Sequence, residues 1–444
     1  MSSTQSTLQS PTLKLMQSRG YRAWVIGLFL LISMFGFIDR QLIGGLGEPI
    51  KRELGLSDSE LGLLGGLAFA LFNAVLTVPI ARLAETRRRI TIISIGVFLW
   101  SVATGLCGLA QSFSQLVFAR MCVGVGEAAG TPATTSVLAD YFPRDRRTSA
   151  AAVYVLAVPL GALIGSAGGG FIAQHANWRM AFVLAGLPGL VLGLLLALTV
   201  REPIRGHYDA PGLGDEAAPP FSAVLRRMVQ RPAFLHVMFG STIASMGGFG
   251  INLFVAPYFV RRFGLDYAQS GLLAGLISAI PGSISMLGGG LLADWLGRRD
   301  ARFYAWVPGI GALVATPLYI LSFLQGAWPA ALTLLMVTGV FQYAYLPVSG
   351  GVSANIMEPR MRASAAAVVG IMTNLVGAGL APLIVGALSD HFGRHFAEGC
   401  SGAACKAASA AGLQWACIVF AGVYLWAAVH FVLAARTIRR DMAA

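Results

Sequence analysis

The chain of 444 residues is 56% hydrophobic and only 12% charged, whereas a soluble domain carries about 25% charged residues. Its formal net charge is +12, from 32 basic and 20 acidic residues. This composition excludes a soluble globular domain and indicates an integral membrane protein. The basic excess does not indicate a nucleic-acid partner, because most lysines and arginines stand in short loops between apolar segments, where membrane topology is set.

Twelve apolar segments follow one another along the chain, and each has the roughly twenty residues that a helix needs to cross a bilayer. The first six are 22–46, 60–84, 90–110, 114–137, 148–173 and 179–199. The second six are 232–260, 267–293, 302–323, 329–353, 363–388 and 412–435. Strands of a β-barrel would be shorter and would alternate in polarity, so the sequence predicts an all-α membrane protein with twelve transmembrane helices.

A polar stretch rich in proline, glycine and aspartate separates the sixth segment from the seventh. It predicts two six-helix halves, at 22–200 and 232–435, joined by a cytoplasmic linker at 201–231. Residues 1–21 and 436–444 are predicted to be a cytoplasmic N-terminal segment and a cytoplasmic tail. The first residues are polar, so we expect no cleaved signal peptide.

The distribution of basic residues predicts the orientation in the membrane. The terminal segments, the linker and the loops on their side carry 23 lysines and arginines, and the loops on the opposite side carry seven. This asymmetry predicts that both termini are cytoplasmic. The short loops favour a prokaryotic inner membrane. Cys400 and Cys405 share a loop on the outer side, where a disulfide is permitted, and whether they form one stays open.

Four ionisable residues lie deep inside apolar segments: Asp39 and Arg40 in the first, Arg120 and Glu127 in the fourth. An ionised group near the bilayer centre is costly, so such residues normally face a bundle interior and mark a transport path. Arg120 and Glu127 are seven residues apart and lie nearly on one helical face. Asp39 and Arg120 stand at similar depths, so we expect them to pair. Arg40 points about 100° away from Asp39 and is left without a predicted partner.

These charges suit proton-linked transport of an anion. Protonation of Glu127 or Asp39 would leave a net positive charge in a cavity of low dielectric, which favours an anionic headgroup at Arg120 or Arg40. The bound anion would in turn favour the proton. We therefore predict proton-coupling sites at Glu127 and Asp39 and a headgroup or ion-pair site at Arg120 and Arg40. A static ion pair that only fixes helix packing is the alternative.

A repeated loop motif links the two halves. Residues 290–299 read GLLADWLGRR, and residues 81–89 read ARLAETRRR at the equivalent place in the first half. The first of these is similar to the G-x-L-A-D-x-x-G-R-R motif of the major facilitator superfamily, and the second departs from it at Ala81, Glu85 and Arg88. The resemblance implies the major facilitator fold, in which the first, fourth, seventh and tenth spans line a central cavity.

In that superfamily the loop motif is a cytoplasmic gate. The resemblance implies that Asp294 latches near the start of the fifth span and Glu85 near the start of the eleventh, where a helix dipole favours a carboxylate. Both latches would hold the cytoplasmic side shut. The gate residues predicted in this way are Asp294, Arg298, Arg299, Glu85 and Arg89. A role as topology determinants alone is the alternative.

Two stretches resemble the Spinster branch of the superfamily. They read FIDR at 37–40 and RMCVGVGEA at 120–128. The resemblance implies transport of a lysophospholipid or sphingoid phosphate. Together with the argument from the buried charges, it predicts a proton-coupled secondary transporter that works by alternating access. A proton-coupled multidrug exporter or an organic-anion symporter of the same superfamily is the main alternative. The implied partners are a small-molecule or lipid substrate, protons and membrane lipids, and we expect a monomer.

Polar and aromatic residues in other spans are candidates for the cavity wall, although such residues at helical spacing more often serve packing. The candidates are Thr131, Ser245, Phe249, Asn252, Tyr343, Tyr345, Thr373 and Asn374. No carboxylate or arginine lies deep in spans seven to eleven, so we expect the second half to hold the substrate's tail.

An enzyme is the remote alternative. Residues 124–127 are similar to the G-x-G-D of intramembrane aspartyl proteases, but the acid is a glutamate. The chain has no H-E-x-x-H zinc motif, and its five cysteines lack metal-ligand spacing. We therefore predict no catalytic residue, metal or cofactor.

Overall fold

The structure of the protein is a computed structural model that describes residues 16, 18–206, 208, 220–358, 360–398, 400 and 403–443. The regular structure within these residues is helical. The helices follow one another along the chain as twelve spans, some of which consist of two or three helices. Spans one to six are Arg19–Leu54; Asp58–Gly62, Leu63–Leu67 and Ala68–Thr86; Arg89–Cys107; Phe113–Glu127 and Gly130–Tyr141; Arg144–Val155 and Ala157–His175; and Trp178–Thr199.

The second half repeats this layout. Spans seven to twelve are Pro232–Phe263; Tyr267–Gly297; Phe303–Phe323; Trp328–Gln342 and Tyr345–Ile356; Arg362–Met372, Thr373–Leu380 and Ala381–Phe396; and Ala403–Phe420 and Val423–Ala443. In the described part of the chain, 11 helices are long and apolar enough to cross a membrane. The predicted fourth span is not among these 11; it is broken between two helices and carries two buried charges. The all-α, multi-pass prediction is confirmed.

Several spans extend beyond the boundaries that the sequence predicts; the eleventh ends at Phe396 rather than 388, and the twelfth runs from Ala403 to Ala443 rather than 412–435. The first span continues past residue 46 to Leu54 and ends at Gly55, which takes the left-handed conformation with φ 67°. The linker contains a helix, Phe221–Val229. This helix places Val224 and Met228, four residues apart, on one buried face against the second half.

We name the two ends of the bundle by what lies there. The disulfide end carries the bond between Cys400 and Cys405, whose Cα atoms are 5.4 Å apart. The terminal end carries the start of span one and the end of span twelve. The disulfide that the sequence left open is therefore present.

The two halves meet closely at the disulfide end. Glycines there let the backbones of spans five and eight approach each other: a Cβ added to Gly275 would lie 3.0 Å from the carbonyl oxygen of Leu163. The same occurs between spans two and eleven, where a Cβ added to Gly66 would lie within 3.1 Å of Ala378 and Pro382. Small residues at such crossings permit close helix packing in membranes.

Candidate functional site

Asp39 and Arg120 form a buried ion pair between spans one and four. The Arg120 Nη1 atom donates to Asp39 Oδ2 at 2.6 Å, and the Thr104 hydroxyl donates to Asp39 Oδ1 at 2.8 Å. Only 1% of the Arg120 side chain and 2% of the Asp39 side chain are exposed. The expected contact between the two is observed, and burial leaves this pair with little access to a substrate.

Arg40 and Glu127 form a second ion pair between the same two spans. The Arg40 Nε atom donates to Glu127 Oε2 at 2.7 Å, and Nη2 contacts the same oxygen. Arg40 is 34% exposed at its side chain, whereas Glu127 is 4% exposed. The other oxygen, Glu127 Oε1, is buried and has no hydrogen-bond partner among the described residues.

The two pairs follow from helix geometry. Asp39 and Arg40 point in different directions around span one, so each meets a different residue of span four. Arg120 and Glu127 lie two turns apart on one face of that span and receive one partner each. The sequence analysis named no partner for Arg40, because the long side chain of this residue reaches well away from its own backbone.

Aromatic rings hold the two arginines. The Arg40 guanidinium lies 4.9 Å from the ring centroid of Phe69 and 5.2 Å from that of Phe37. The Arg120 guanidinium lies 5.5 Å from the same Phe69 ring. Cation–π contacts of this kind stabilise a cation where little water reaches it. Phe37 stood beside the Asp-Arg pair in the sequence, but nothing there singled out Phe69 in span two.

A central cavity of about 1210 Å³, a volume that includes open solvent, lies beside these charges. Eight spans line it: one, two, four and five from the first half, and seven, eight, ten and eleven from the second. Within the described part of the chain, spans three, six, nine and twelve contribute no lining residue. Of the predicted site residues, the cavity wall includes Arg40, Arg120, Phe249, Asn252, Tyr343 and Asn374.

Asp39 and Glu127 are buried and are not among the lining residues, and three of the cavity-wall candidates do not line the cavity either. Ser245 is 1% exposed and donates to the carbonyl of Thr242 in its own span. The Thr373 hydroxyl donates to carbonyl oxygens of its own helix at Val369 and Gly370. Tyr345 is 2% exposed, within the packed second half. These polar groups therefore serve packing in this conformation. The side chain of Thr131 lies outside the described part of the structure.

The sequence also gave no signal for a polar cluster behind the cavity wall. Gln342 Oε1 accepts hydrogen bonds from the hydroxyls of Tyr319 and Tyr424, the second at 2.9 Å. Asn252 in the wall accepts from Ser278 at 2.9 Å. These contacts fix polar groups of the second half without adding charge to the cavity.

At the terminal end, the predicted gate residues Asp294, Glu85 and Arg299 make contacts within their own halves. Asp294 is exposed and accepts from the Tyr304 hydroxyl at 3.2 Å. Glu85 is exposed and pairs with Arg82, and Arg299 lies over the Trp295 ring. Arg298 is exposed. The predicted latches are therefore not engaged in this conformation.

Arg89 differs from the other gate candidates because it is buried inside the first half. It pairs with Asp140 at 2.5 Å and with Glu202 at 2.7 Å. It also donates to Ser136 and to the carbonyl of Pro203. These contacts tie spans three and four to the end of span six, so Arg89 contributes here to the packing of one half.

The disulfide end carries a charged network between the halves that the sequence did not predict. Arg261 of span seven donates to both oxygens of Asp58 at 2.7 Å and to Glu48 at 2.7 Å. Its side chain is 4% exposed. Lys51 also donates to Asp58, at 2.6 Å. The ion pairs of Arg261 with Asp58 and Glu48 join the two halves.

Hydrogen bonds to the starts of two helices also join the two halves at the disulfide end. Asp390 of span eleven accepts from the backbone N–H groups of Asp58 and Ser59, each at 2.8 Å, and from the Ser59 hydroxyl at 2.6 Å. Gln174 of span five accepts from the backbone N–H of Tyr267 at 3.1 Å. Unpaired N–H groups at a helix start favour such acceptors. The conformation is thus closed at the disulfide end.

No group of three or more histidine, cysteine, aspartate or glutamate side chains within the described ranges is arranged to hold a metal ion.

Comparisons with known proteins show similarity over most of the chain. The profile of the Major Facilitator Superfamily matches residues 29–318. An MFS-type efflux pump of Mycolicibacterium smegmatis is 32% identical over 372 residues, which are 83% of this chain and 85% of the relative. Protein spinster homolog 1 of Homo sapiens is 24% identical over 401 residues, which are 85% of this chain and 75% of the relative.

A solved structure is similar over nearly the whole chain. It is the crystal structure of a bacterial homolog to the human lysosomal transporter Spinster, in an inward-facing and unoccupied conformation. The TM-score is 0.86 and the sequence identity 31%, with 96% of this chain and 99% of that chain covered.

Proposed function

The chain belongs to the Major Facilitator Superfamily, and from that premise we propose that it is a proton-coupled secondary transporter of an anionic amphiphile. Its family and fold are those of transporters rather than enzymes, and it is related to Spinster proteins and to efflux pumps. The observation that carries the proposal is the Arg40–Glu127 pair at the cavity, in which the arginine is accessible and one carboxylate oxygen is unpartnered.

The pair supports coupling by mutual exclusion. When both groups are ionised, Glu127 neutralises Arg40 and the cavity offers no free positive charge. A proton on Glu127 frees the guanidinium for the headgroup of an anionic substrate. Because coupling between two sites is reciprocal, the bound anion then favours the proton by the same factor. Glu127 is the proposed proton site, and Arg40 is the proposed headgroup site.

Burial argues for Arg40 over Arg120 as the headgroup ligand. The Arg120 side chain is 1% exposed and is already paired with Asp39. We propose that this second pair holds spans one and four in register, with Asp39 as a secondary proton site. In the second half, the cavity wall is formed by apolar and neutral polar side chains, among them Phe249, Met286 and Tyr343. That surface suits a long apolar tail.

Alternating access supplies the transport cycle. The halves at 22–200 and 232–435 would rock about the midplane site. With both termini in the cytoplasm of a prokaryotic cell, the closed disulfide end faces outward and this conformation is inward-facing. Asp294 and Glu85 would engage spans five and eleven in the opposite conformation, with Arg298 and Arg299 beside them. We propose that the monomer is the working unit.

Flux through liposomes tests the proposal. The purified protein is reconstituted and offered lysophosphatidylglycerol, whose headgroup is anionic, or lysophosphatidylcholine, whose headgroup is zwitterionic, with and without a pH gradient. We expect gradient-dependent flux of the anionic lysolipid and at least tenfold less of the zwitterionic one. Equal flux of the two would reject the headgroup site, and flux indifferent to the gradient would reject the coupling.

Drug export is a second candidate, favoured by the 32% identity to a relative named as an efflux pump. The same cavity would then take apolar cations or neutral drugs, with Glu127 rather than Arg40 facing the ligand. Gradient-driven efflux of a cationic dye from the same liposomes, without lysolipid flux, would favour this candidate.

A further inference from the structure

Two grooves run along the outer surface of the bundle, away from the central cavity. The first lies between spans three and six and has a volume of about 1260 Å³, open solvent included. The second lies between spans nine and twelve and has a volume of about 730 Å³ on the same measure. These four spans contribute no described residue to the cavity wall. Groove side chains such as Phe98, Leu194 and Leu313 are more than half exposed, so we expect both grooves to face the bilayer.

The grooves occupy equivalent places in the two halves, and each has one arginine at its terminal end. In the first groove this residue is Arg88, and the wall continues along span three to Leu99. In the second it is Arg436, and the wall continues along span twelve to Leu425. Both arginines are exposed, and neither has an ion-pair partner among the described residues.

The other lining residues are almost all apolar. Apart from Arg88, the polar side chains in the wall of the first groove are Thr91 and Ser94. Ser94 uses its hydroxyl on the carbonyl of Ile90 in its own helix, so it presents little polarity to the groove. The second groove carries Trp306 at the arginine end, where aromatic side chains commonly lie at the membrane interface.

The length of each groove matches one leaflet. Eleven residues separate the arginine from the far end in both cases, which is about 16 Å at 1.5 Å per residue. The hydrocarbon core of a bilayer is about 30 Å thick, so each groove runs from one interface to the midplane. An arginine at the interface end offers a charge-assisted hydrogen bond to a phosphate diester.

We propose that each groove binds one anionic glycerophospholipid from the leaflet at the terminal end. The phosphate lies against Arg88 or Arg436, and one acyl chain lies in the groove between the paired spans. The two sites are independent of the substrate cavity. Bound lipid would fill the space between spans three and six and between spans nine and twelve, the outer pairs of the two moving halves.

Native mass spectrometry of the detergent-solubilised protein tests the proposal, with phosphatidylglycerol and phosphatidylcholine as probes. We expect two tightly retained phosphatidylglycerol molecules on the wild type, one on Arg88→Gln or Arg436→Gln, and none on the double variant. Arg19→Gln is the matched control, because Arg19 is exposed at the same end of the bundle but lies outside both grooves. The affinity at each altered site should fall about fivefold to tenfold.

A second pair of variants tests the groove without changing charge. Leu194 and Leu313 are exposed groove residues, and replacing each with Trp fills the space that an acyl chain would occupy. Leu194→Trp and Leu313→Trp should each remove one retained lipid while the arginines remain. Equal retention of phosphatidylcholine, loss of lipid with Arg19→Gln, or a dimer that covers these faces without bound lipid would overturn the proposal.

Discussion

Replacement of Glu127 by Gln is the most direct test of the coupling mechanism. The change removes the proton site but keeps the shape of the side chain and an amide oxygen that Arg40 can still contact. The pair has a 2.7 Å bond from Arg40 Nε to an oxygen that is almost fully buried. Charge-assisted hydrogen bonds contribute about 1.5–3 kcal/mol. Because Arg40 remains partly solvated in the cavity, we expect the variant to fold and to lose about 1 kcal/mol of stability.

The effect on transport should be larger than the effect on stability. A gradient of one pH unit is worth about 1.4 kcal/mol per proton, so coupling to one proton accumulates the substrate about tenfold. In Glu127→Gln liposomes the accumulation ratio should fall to about one, while exchange without a gradient continues.

The assay measures accumulation of labelled lysophosphatidylglycerol at imposed gradients of zero, one and two pH units. Glu398→Gln is the control, since it removes a carboxylate that is 81% exposed and lies outside the cavity wall, and it should leave the response to the gradient intact. Wild-type accumulation by Glu127→Gln would refute the reasoning and move the proton site elsewhere, with Asp39 the next candidate.

Three further changes test other parts of the structure. Arg40→Ala should weaken binding of an anionic lysolipid at least tenfold in a direct binding assay and leave a zwitterionic one unchanged; equal losses would place the headgroup elsewhere. Asp390→Ala removes three hydrogen bonds across the halves and should shift the population toward opening of the disulfide end by tenfold or more, as spin-label distances would report. An unchanged distance distribution would show that Asp390 does not hold the closure. Gly271→Val should hinder that closure, because its Cβ would meet Ser166, whereas Gly288→Val, with open space around it, should not. Similar distances in both variants would argue against close packing of spans five and eight.

The sequence predicted the fold and part of the site because both depend on local patterns. The twelve apolar segments, and the charged residues inside the first and fourth of them, are visible in the order of residues along the chain. The contact between Asp39 and Arg120 followed from counting residues along antiparallel helices, and the structure contains it. The Arg40–Glu127 pair required the reach of a long side chain, which residue counting does not supply.

The network at the disulfide end was missed for a different reason. Glu48 and Lys51 stand beyond the apolar core of span one, so they resembled ordinary loop charges and the predicted helix ended before them. Arg261 lies near the end of span seven and was counted among the topology-setting residues. Their pairing depends on the approach of two halves that are more than 200 residues apart in the chain.

The contacts of Asp390 and Gln174 bear on the energetics of the whole transport cycle. At the disulfide end, the closed conformation supplies acceptors from spans eleven and five to the first N–H groups of spans two and eight. The proposed latches of Glu85 and Asp294 reverse these roles at the other end, with spans two and eight supplying acceptors to spans eleven and five. Rocking would then exchange one set of helix caps for another and conserve their number. Two conformations in which equal numbers of helix starts have acceptors for their N–H groups can lie close in free energy. A proton and a substrate that bind one conformation slightly more tightly than the other are then enough to select between them.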